Sequence, residues 1–306
     1  MIDCTHAVSL PLHDGLLLRC LACGLVTTAR VPTYGYDATY FTGNQGGGYD
    51  FESEVSAAID AERFRLELDG LAAQGLSGSL LDIGCATGSY LAAARARGWQ
   101  VAGVEVAEYA RQLASTRAGV PVAASLDELP SGSQYDVVTL HHVLEHITNP
   151  GVFLRDQVRP RAKGRLLIEV PNFSSLGSRI DGAAWQDLRP EQHVTHFTAA
   201  TLEALVEDAG FTVTRTASLW APLWSGRATL DLARLLIRAA LKRAPEPPLV
   251  RPSLPPASSA AVLPRGWRRG LVALAHAGCR PVVRLLERRR LGARLVVEAA
   301  ARQARR

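Results

Sequence analysis

The sequence predicts an α/β protein whose sheet is doubly wound and mostly parallel. Between residues 78 and 216, short apolar runs typical of strands alternate with stretches of helical periodicity. The strand-like runs cover 79–83, 100–104, 135–140, 165–170 and 211–217, and the helical stretches cover 89–97, 107–118, 151–158 and 199–209. This alternation predicts helices on both faces of the sheet.

Three other regions flank this α/β core, which we place at residues 50–217 with an opening helix at 50–73. Residues 1–45 form a short segment that contains cysteine, histidine and tyrosine. Residues 218–292 form a basic helical appendage, and its linker at 244–266 holds seven of the 17 prolines. Residues 293–306 supply a last strand and a tail.

Charge divides the chain of 306 residues into an acidic and a basic part. Residues 217–306 hold 18 basic and 4 acidic side chains, a net charge of +14, whereas residues 1–216 hold 16 and 25, a net charge of −9. A composition that is 47% hydrophobic and 21% charged excludes a wholly disordered chain. The sequence contains no apolar run long enough for a spanning helix.

The first residues lack the basic start and apolar stretch of a signal peptide, so we expect a cytoplasmic protein. In a reducing compartment, the five cysteines are expected to bind metal or to be buried rather than to form disulfides.

The most informative segment joins a buried strand to a helix through a glycine-containing turn. It reads Leu-Leu-Asp-Ile-Gly-Cys-Ala-Thr-Gly-Ser-Tyr-Leu over 80–91. Gly84 and Gly88 let the backbone approach a ligand, and the helix N-terminus offers unpaired N–H groups. The next strand ends at Glu105, the place at which nucleotide-binding α/β folds carry an acid for ribose hydroxyls.

A third motif, Tyr-Asp-Val-Val-Thr-Leu-His-His-Val-Leu-Glu-His, covers 135–146. Together the three motifs resemble the class I S-adenosylmethionine-dependent methyltransferases, in the small-molecule branch with His-Val-Leu-Glu-His after strand four. The resemblance covers about residues 50–217 and implies a seven-stranded, Rossmann-like sheet that binds S-adenosylmethionine. Ala86 stands where the family usually has glycine. An NAD-dependent Rossmann enzyme fits less well, because the turn is Gly-x-x-x-Gly.

The resemblance implies a cofactor site along the ends of the first strands. The residues that it assigns are Asp82, Gly84, Gly88 and His141 for the methionine end, Glu105 for the ribose, and Val106, Ser125 and Leu126 for the adenine. Cys85 lies inside the turn and belongs to this site without a catalytic role.

The candidate catalytic residues are His142, Glu145, His146 and His193. On a helix, residues 142, 145 and 146 share a face. In one interpretation, His146 or His193 is a general base helped by Glu145.

In a second interpretation, His142, Glu145, His146 and either His193 or His196 hold a divalent metal. This arrangement resembles the Glu-x-x-Glu-His segment of ubiquinone-pathway and small-RNA 2′-O-methyltransferases. His142 replaces its first Glu, which disfavours Mg²⁺. In a third interpretation these residues are structural, and Thr198 caps the next helix.

The segment 172–195 is expected to cover the acceptor, with Phe173 and Trp185 suited to stacking on a ring or sugar. The alternative is a packed loop over the sheet.

The N-terminal segment contains a zinc-ribbon-like knuckle, Cys20-Leu-Ala-Cys23-Gly-Leu. A second pair of ligands would come from Cys4 and His6, with His13 as a substitute. Methyltransferases that act on sugars or envelope intermediates carry a similar segment, so we expect structural Zn²⁺. A degenerate ribbon without metal is the alternative.

The predicted function is methyl transfer to a small-molecule acceptor, with O-methylation of a sugar-containing, envelope-linked or quinone-like substrate. The alternative is a non-catalytic module that docks a membrane or partner through its basic tail. Residues 228–291 would contact an anionic membrane at its inner face, or pack on the core or on a second subunit of a homo-oligomer. Nucleic acid is not favoured, because the tail lacks a recognised binding module.

Overall fold

The computed structural model describes residues 4, 6–30, 38–41, 54–220 and 281–303. The predicted linker at 244–266 and most of the basic appendage, residues 221–280, lie outside these residues. The expected membrane contact of this region therefore stays a prediction.

The described residues form eleven strands, numbered in chain order. They are β1 (Ser9–Leu12), β2 (Leu17–Cys20), β3 (Val26–Thr28), β4 (Ser79–Ile83), β5 (Gln100–Val104), β6 (Val122–Ala123), β7 (Tyr135–His141), β8 (Ala162–Pro171), β9 (Thr195–His196), β10 (Phe211–Leu219) and β11 (Arg294–Ala301).

The helices are α1 (Ala38–Phe41), α2 (Glu54–Ala73), α3 (Ser89–Arg95), α4 (Glu108–Ala118), α5 (Pro150–Val152), α6 (Leu176–Asp181), α7 (Ala199–Asp208) and α8 (281–288). The helical path of α5 continues as a π-helical turn, Phe153–Val158, and a 3-10 turn, Arg159–Arg161.

Seven strands form the main sheet, in the order β10-β11-β8-β7-β4-β5-β6. Strands β4 to β8 pair in parallel, whereas β11 is antiparallel to both of its neighbours, β8 and β10. The prediction of a mostly parallel, seven-stranded, Rossmann-like sheet is confirmed.

Consecutive apolar residues in the central strands explain why both faces of the sheet are covered. Leu80 and Val137 lie in one hydrophobic cluster, and Leu81 and Val138 lie in the other. Because successive side chains of a strand point to opposite faces, each pair contributes to two cores. Burying one such side chain contributes about 1.5–3 kcal/mol.

Helices cover each face. On the face of Leu80, helix α2 contributes Phe64 and Leu68, and α3 contributes Leu91. On the face of Leu81, Leu154 packs from the segment after α5 and Leu202 packs from α7. Helix α7 begins at a capping box in which the Thr198 hydroxyl accepts a hydrogen bond from the Thr201 N–H. Such a cap contributes about 1 kcal/mol.

A second sheet, of order β1-β2-β3-β9, joins the N-terminal segment to the core. Its first three strands come from the N-terminal segment, but β9 comes from the core and pairs with β3, with Val26 opposite His196. The N-terminal segment is thus hydrogen-bonded to the core segment that contains His193 and His196.

The residues that lead into β11 pack against the core. The Asn172 side-chain amide donates to the carbonyl oxygens of Arg290 and Gly292, and Arg290 forms an ion pair of 2.9 Å with Glu203. None of the helices that the structure describes has the length and apolar character needed to cross a bilayer.

Candidate functional site

The turn between β4 and α3 has the backbone shape that its glycines predict. Gly84 and Gly88 have φ of 73° and 80°, and Ala86 adopts φ of 47°. A Cβ added to Gly88 would lie 2.6 Å from Ala114 Cα, and one added to Gly84 would lie 2.4 Å from Val143 Cγ2. Both positions therefore require glycine, and the chain after β7 lies against this turn.

The Glu105 carboxylate binds backbone N–H groups of this turn and of the chain after β5. Its Oε2 accepts a hydrogen bond from the Ala86 N–H and its Oε1 accepts one from the Ala107 N–H, each at 2.9 Å. The side chain is buried, and burial raises the pKa of the carboxyl group. Its two oxygens are thus held at the carboxyl end of β5, where an acid can accept hydrogen bonds from ribose hydroxyls.

The other adenine-side candidates follow β5 and β6 at the same edge of the sheet. Val106 is 67% exposed, whereas Leu126 is buried in the hydrophobic core, in a 3-10 turn that Ser125 directly precedes. The Cys85 side chain points into the other hydrophobic cluster, so only its backbone lines the turn.

Asp82 and His141 belong to one buried polar network. The Thr139 hydroxyl donates to Asp82 at 2.7 Å, and His141 Nε2 lies 3.1 Å from both carboxylate oxygens of Glu67. His141 Nδ1 lies 3.6 Å from Asp82 Oδ1. Burial opposes protonation of His141, but the charges of Glu67 and Asp82 outweigh it and raise its pKa to about 10.

A second network surrounds His142. Its Nδ1 and Nε2 lie 3.1 Å from Glu145 Oε1 and from Glu169 Oε1, respectively. Burial opposes protonation, but these two hydrogen bonds outweigh it and raise the pKa of His142. Glu169 also binds Arg63 at 2.9 Å and Arg294 at 2.8 Å, which hold its pKa well below the usual range despite burial.

Residues 142–146 do not form a helix on which 142, 145 and 146 would share a face. His142 has a φ of 55°, and only Leu144–His146 form a 3-10 turn. His142 therefore does not share a helical face with His146. Because both of its nitrogens donate to carboxylates, His142 is unsuited to act as a base or as a metal ligand.

Glu145, His146 and His193 converge instead. Each offers a ligand atom, and these atoms lie within 4.8 Å of one another. The two imidazole rings meet edge to face, with centroids 4.9 Å apart. Glu145 and His193 are buried. Burial acts to raise the pKa of Glu145, but the hydrogen bond from His142 and the nearby imidazoles lower it to about 2.

The comparisons with known proteins concern the segment that carries these sites. A family model for a methyltransferase domain matches residues 56–216. The chain belongs to this methyltransferase family. It is a class I S-adenosylmethionine-dependent methyltransferase.

Solved structures with a similar fold include two bacterial methyltransferases. Magnesium protoporphyrin IX methyltransferase from Synechocystis PCC 6803, with bound S-adenosylhomocysteine, is 16% identical at a TM-score of 0.49, covering 86% of this chain and 96% of that one. An S-adenosylmethionine-dependent methyltransferase from Thermotoga maritima is 17% identical, with a TM-score of 0.48. The match covers 82% of this chain and 97% of that one. A search of curated protein sequences finds no match.

The N-terminal segment of the methyltransferase brings its four predicted ligands together. Cys4 Sγ lies 3.5 Å from Cys20 Sγ, and Cys23 Sγ lies 3.4 Å from His6 Nδ1. The ligand atoms of all four residues lie within 4.8 Å of one another. Ligands of one tetrahedral Zn²⁺ are about 3.5–3.8 Å apart, so this donor set fits the ion.

The local backbone supports the same cluster. Gly24, with φ of 76°, lets its N–H turn back to the Cys20 carbonyl oxygen at 2.9 Å. Burial acts to raise the pKa of Cys20, but hydrogen bonds from the Cys23 N–H and from His6 outweigh it and lower the pKa to about 6. Cys20 is thus disposed to be the thiolate that a metal requires.

The predicted aromatic lid of the methyltransferase is wrong in its main feature. Phe173 and Trp185 are buried in a cluster with Leu17, Val26 and Leu188, under the N-terminal sheet. They act as core and are not free to stack on an acceptor. His196 does not join Glu145, His146 and His193, because its Nε2 instead lies 3.0 Å from the Thr28 hydroxyl.

Sequence reasoning missed four charged residues that hold the site. These are Arg63, Glu67, Glu169 and Arg294. The available signal was an acid inside an apolar stretch, as with Glu169 in β8, since a buried charge needs a partner.

Proposed function

We propose that this methyltransferase transfers the methyl group of S-adenosylmethionine to a hydroxyl group of a small molecule. The observation that carries the proposal is the convergence of Glu145, His146 and His193 close to the glycine turn. Val143 of the same segment lies against Gly84, so the acceptor-side cluster and the donor-side turn are neighbours. A sugar-containing, envelope-linked or quinone-like hydroxyl compound is the proposed acceptor class.

The donor side is assigned to the carboxyl edge of β4, β5 and β7. Glu105 would hold the ribose hydroxyls, the turn at Gly84 and Gly88 would cradle the methionine end, and Val106 with Ser125 would border the adenine. The bound cofactor supplies an electrophilic methyl group on a sulfonium. The contribution of the chain is to position that group and exclude water from it.

On the acceptor side, a hydroxyl is a weak nucleophile until it loses its proton. The pKa of Glu145 is lowered to about 2, so its carboxylate is ionised. Burial lowers the pKa of His193 to about 3, so the His193 imidazole stays neutral and keeps a nitrogen lone pair. A buried carboxylate and two imidazoles would orient the hydroxyl and stabilise its deprotonated form. A non-catalytic module would not need a carboxylate and imidazoles at this place.

Structural Zn²⁺ at Cys4, His6, Cys20 and Cys23 is the second part of the proposal. The metal would fix the turns that present β2 and β3 to β9. Metal analysis of protein purified under reducing conditions tests it. About one zinc per chain that is lost in a Cys20→Ser and Cys23→Ser double variant is expected. No zinc in the unaltered protein would end this assignment.

The methyl-transfer proposal is tested by release of S-adenosylhomocysteine across pools of hydroxyl-bearing acceptors. The unaltered protein should release it with at least one pool, and a Glu145→Ala variant should not, although it still binds S-adenosylhomocysteine in calorimetry. Turnover by the variant at the unaltered rate would remove the cluster from the chemistry. Cofactor binding without turnover on any pool would favour the non-catalytic module.

A further inference from the structure

We propose that Arg111 and Arg117 of α4 are positioning residues of the cofactor site, each for a different half of the cofactor. Arg111 donates to the chain after β5, and Arg117 donates to the turn between β4 and α3. Both segments are assigned to the donor side under the proposed function, so the inference rests on that function. The sequence motifs of the donor side contain neither arginine.

Arg117 binds the turn on both sides of Gly88. Its Nη1 lies 3.0 Å from the Thr87 carbonyl oxygen, 2.7 Å from the Thr87 hydroxyl oxygen and 2.8 Å from the Ser89 hydroxyl oxygen, so these acceptors share its two hydrogens. Thr87 is buried between Ala86 and Gly88, which both have positive φ. Positive φ is unfavourable for a residue with a Cβ such as Ala86, and bonds to the next residue help to hold the turn in this shape.

Arg111 binds the segment that follows β5. Its Nη1 donates to the carbonyl oxygens of Glu105 at 3.0 Å and Val106 at 3.1 Å. The Glu105 carboxylate is held separately, by the N–H groups of Ala86 and Ala107. Arg111 therefore fixes the backbone from which the ribose acid and Val106 project, while those N–H groups fix the carboxylate itself.

Both arginines lie on the side of α4 that packs against the turn. Arg111, Ala114 and Arg117 follow each other at intervals of three residues, so they lie along one side of the helix. A Cβ added to Gly88 would lie 2.6 Å from Ala114 Cα, so the helix and the turn are in close contact at this point. The arginines bind the two cofactor segments on either side of that contact.

The two bonded segments are assigned to different parts of the cofactor. The segment after β5 borders the adenosine, and the glycine turn cradles the methionine part. Loss of Arg111 should therefore weaken every ligand that contains adenosine. Loss of Arg117 should weaken only ligands that also carry the amino-acid part. General destabilisation of the protein would not separate the two ligands in this way.

Calorimetry on the full-length protein with two ligands tests this division. S-adenosylhomocysteine carries adenosine and the amino-acid part, whereas 5′-methylthioadenosine lacks the amino-acid part. Arg117→Ala should raise the Kd of S-adenosylhomocysteine by about tenfold and change that of 5′-methylthioadenosine by less than about twofold. Arg111→Ala should raise both Kd values by about the same factor, on the order of tenfold.

Arg95→Ala is the matched control. The Arg95 guanidinium donates to the Ala118 carbonyl oxygen at 2.6 Å and so joins α3 to α4 at the C-terminal ends of both helices. Its loss should lower the urea midpoint of unfolding, as loss of Arg117 should, but leave both Kd values unchanged. This comparison separates a loss of stability from a loss of cofactor positioning.

Three results would overturn the inference while the proposed function stands. They are an Arg117→Ala variant that weakens both ligands equally or neither, an Arg111→Ala variant that leaves 5′-methylthioadenosine binding unchanged, and a control that weakens binding as much as Arg117→Ala does. If the unaltered protein binds neither ligand, the donor side of the proposed function fails and the inference fails with it.

Discussion

The Thr28 hydroxyl donates a hydrogen bond of 2.6 Å to the His193 carbonyl oxygen. The Thr28 N–H also donates to the Val194 carbonyl oxygen at 2.8 Å, and Thr28 Oγ1 lies 3.0 Å from His196 Nε2. Thr28 ends the last strand of the N-terminal segment. One buried side chain thus connects the segment with the cysteine cluster to the segment that carries His193.

Replacing this hydroxyl should destabilise the protein. Thr28→Val keeps the side-chain shape but leaves buried polar groups of His193 and His196 without their partner. We expect the free energy of unfolding to fall by about 1–3 kcal/mol, measured by urea denaturation. Thr27→Val, on the opposite face of the same strand, is the matched control and should change little. Equal unfolding midpoints for the two variants would contradict the prediction.

Glu105→Gln should weaken binding of S-adenosylhomocysteine. The amide would turn an N–H toward the Ala86 or Ala107 N–H, which the carboxylate now satisfies, and would lose a charged acceptor for ribose hydroxyls. Calorimetry should find a Kd about 10- to 100-fold higher, since a hydrogen bond to a charged group contributes about 1.5–3 kcal/mol. Glu108→Gln, at an exposed position three residues further, should leave the Kd unchanged. A Kd for Glu105→Gln within twofold of the control would remove Glu105 from the cofactor site.

Local motifs were sufficient to predict the tight glycine turn and to single out Glu105, whose carboxylate binds that turn. The glycines at 84 and 88 and the acid at 105 are set by a strand, a tight turn and a helix that follow each other in the chain. The arrangement of Glu145, His146 and His193 depends on contacts that sequence spacing does not show. Glu169, for example, lies 27 residues after His142, yet its Oε1 is 3.1 Å from His142 Nε2.

The misplaced lid has the same cause. Phe173 and Trp185 have the composition of a binding loop, but their packing partners, Leu17 and Val26, come from the N-terminal segment. An aromatic side chain in an irregular segment does not indicate whether it faces a ligand or a core. Only the pairing of β3 with β9 decides it.

The pair of His141 with Glu67 and Asp82 should make stability depend on pH. The pKa of His141 is raised in the folded protein from 6.5 to about 10, so protonated His141 stabilises the fold. This contribution is complete below pH 6.5, declines as pH rises, and is lost above about pH 10. The difference in unfolding free energy between the unaltered protein and His141→Gln should therefore shrink from pH 6 to pH 10.

The measurement is urea denaturation without cofactor at several pH values. Gln112→Ala, an exposed change without a titrating group, should give a difference that does not vary with pH. A His141→Gln difference that is constant or grows with rising pH would show that His141 is not held protonated by its two carboxylates.

Gly88 and Gly98 allow the cost of backbone strain to be measured separately from the cost of overpacking. Gly88 and Gly98 have φ of 80° and 86°, but a Cβ at Gly88 would lie 2.6 Å from Ala114 Cα, whereas one at Gly98 would meet nothing within 4 Å. Gly98→Ala should cost about 1 kcal/mol of conformational strain. Gly88→Ala should cost a further 1–3 kcal/mol or so by overpacking, and should weaken S-adenosylhomocysteine binding by displacing the turn from α4. Thermal unfolding and calorimetry check both, and equal losses in the two variants would mean that α4 gives way without moving the turn.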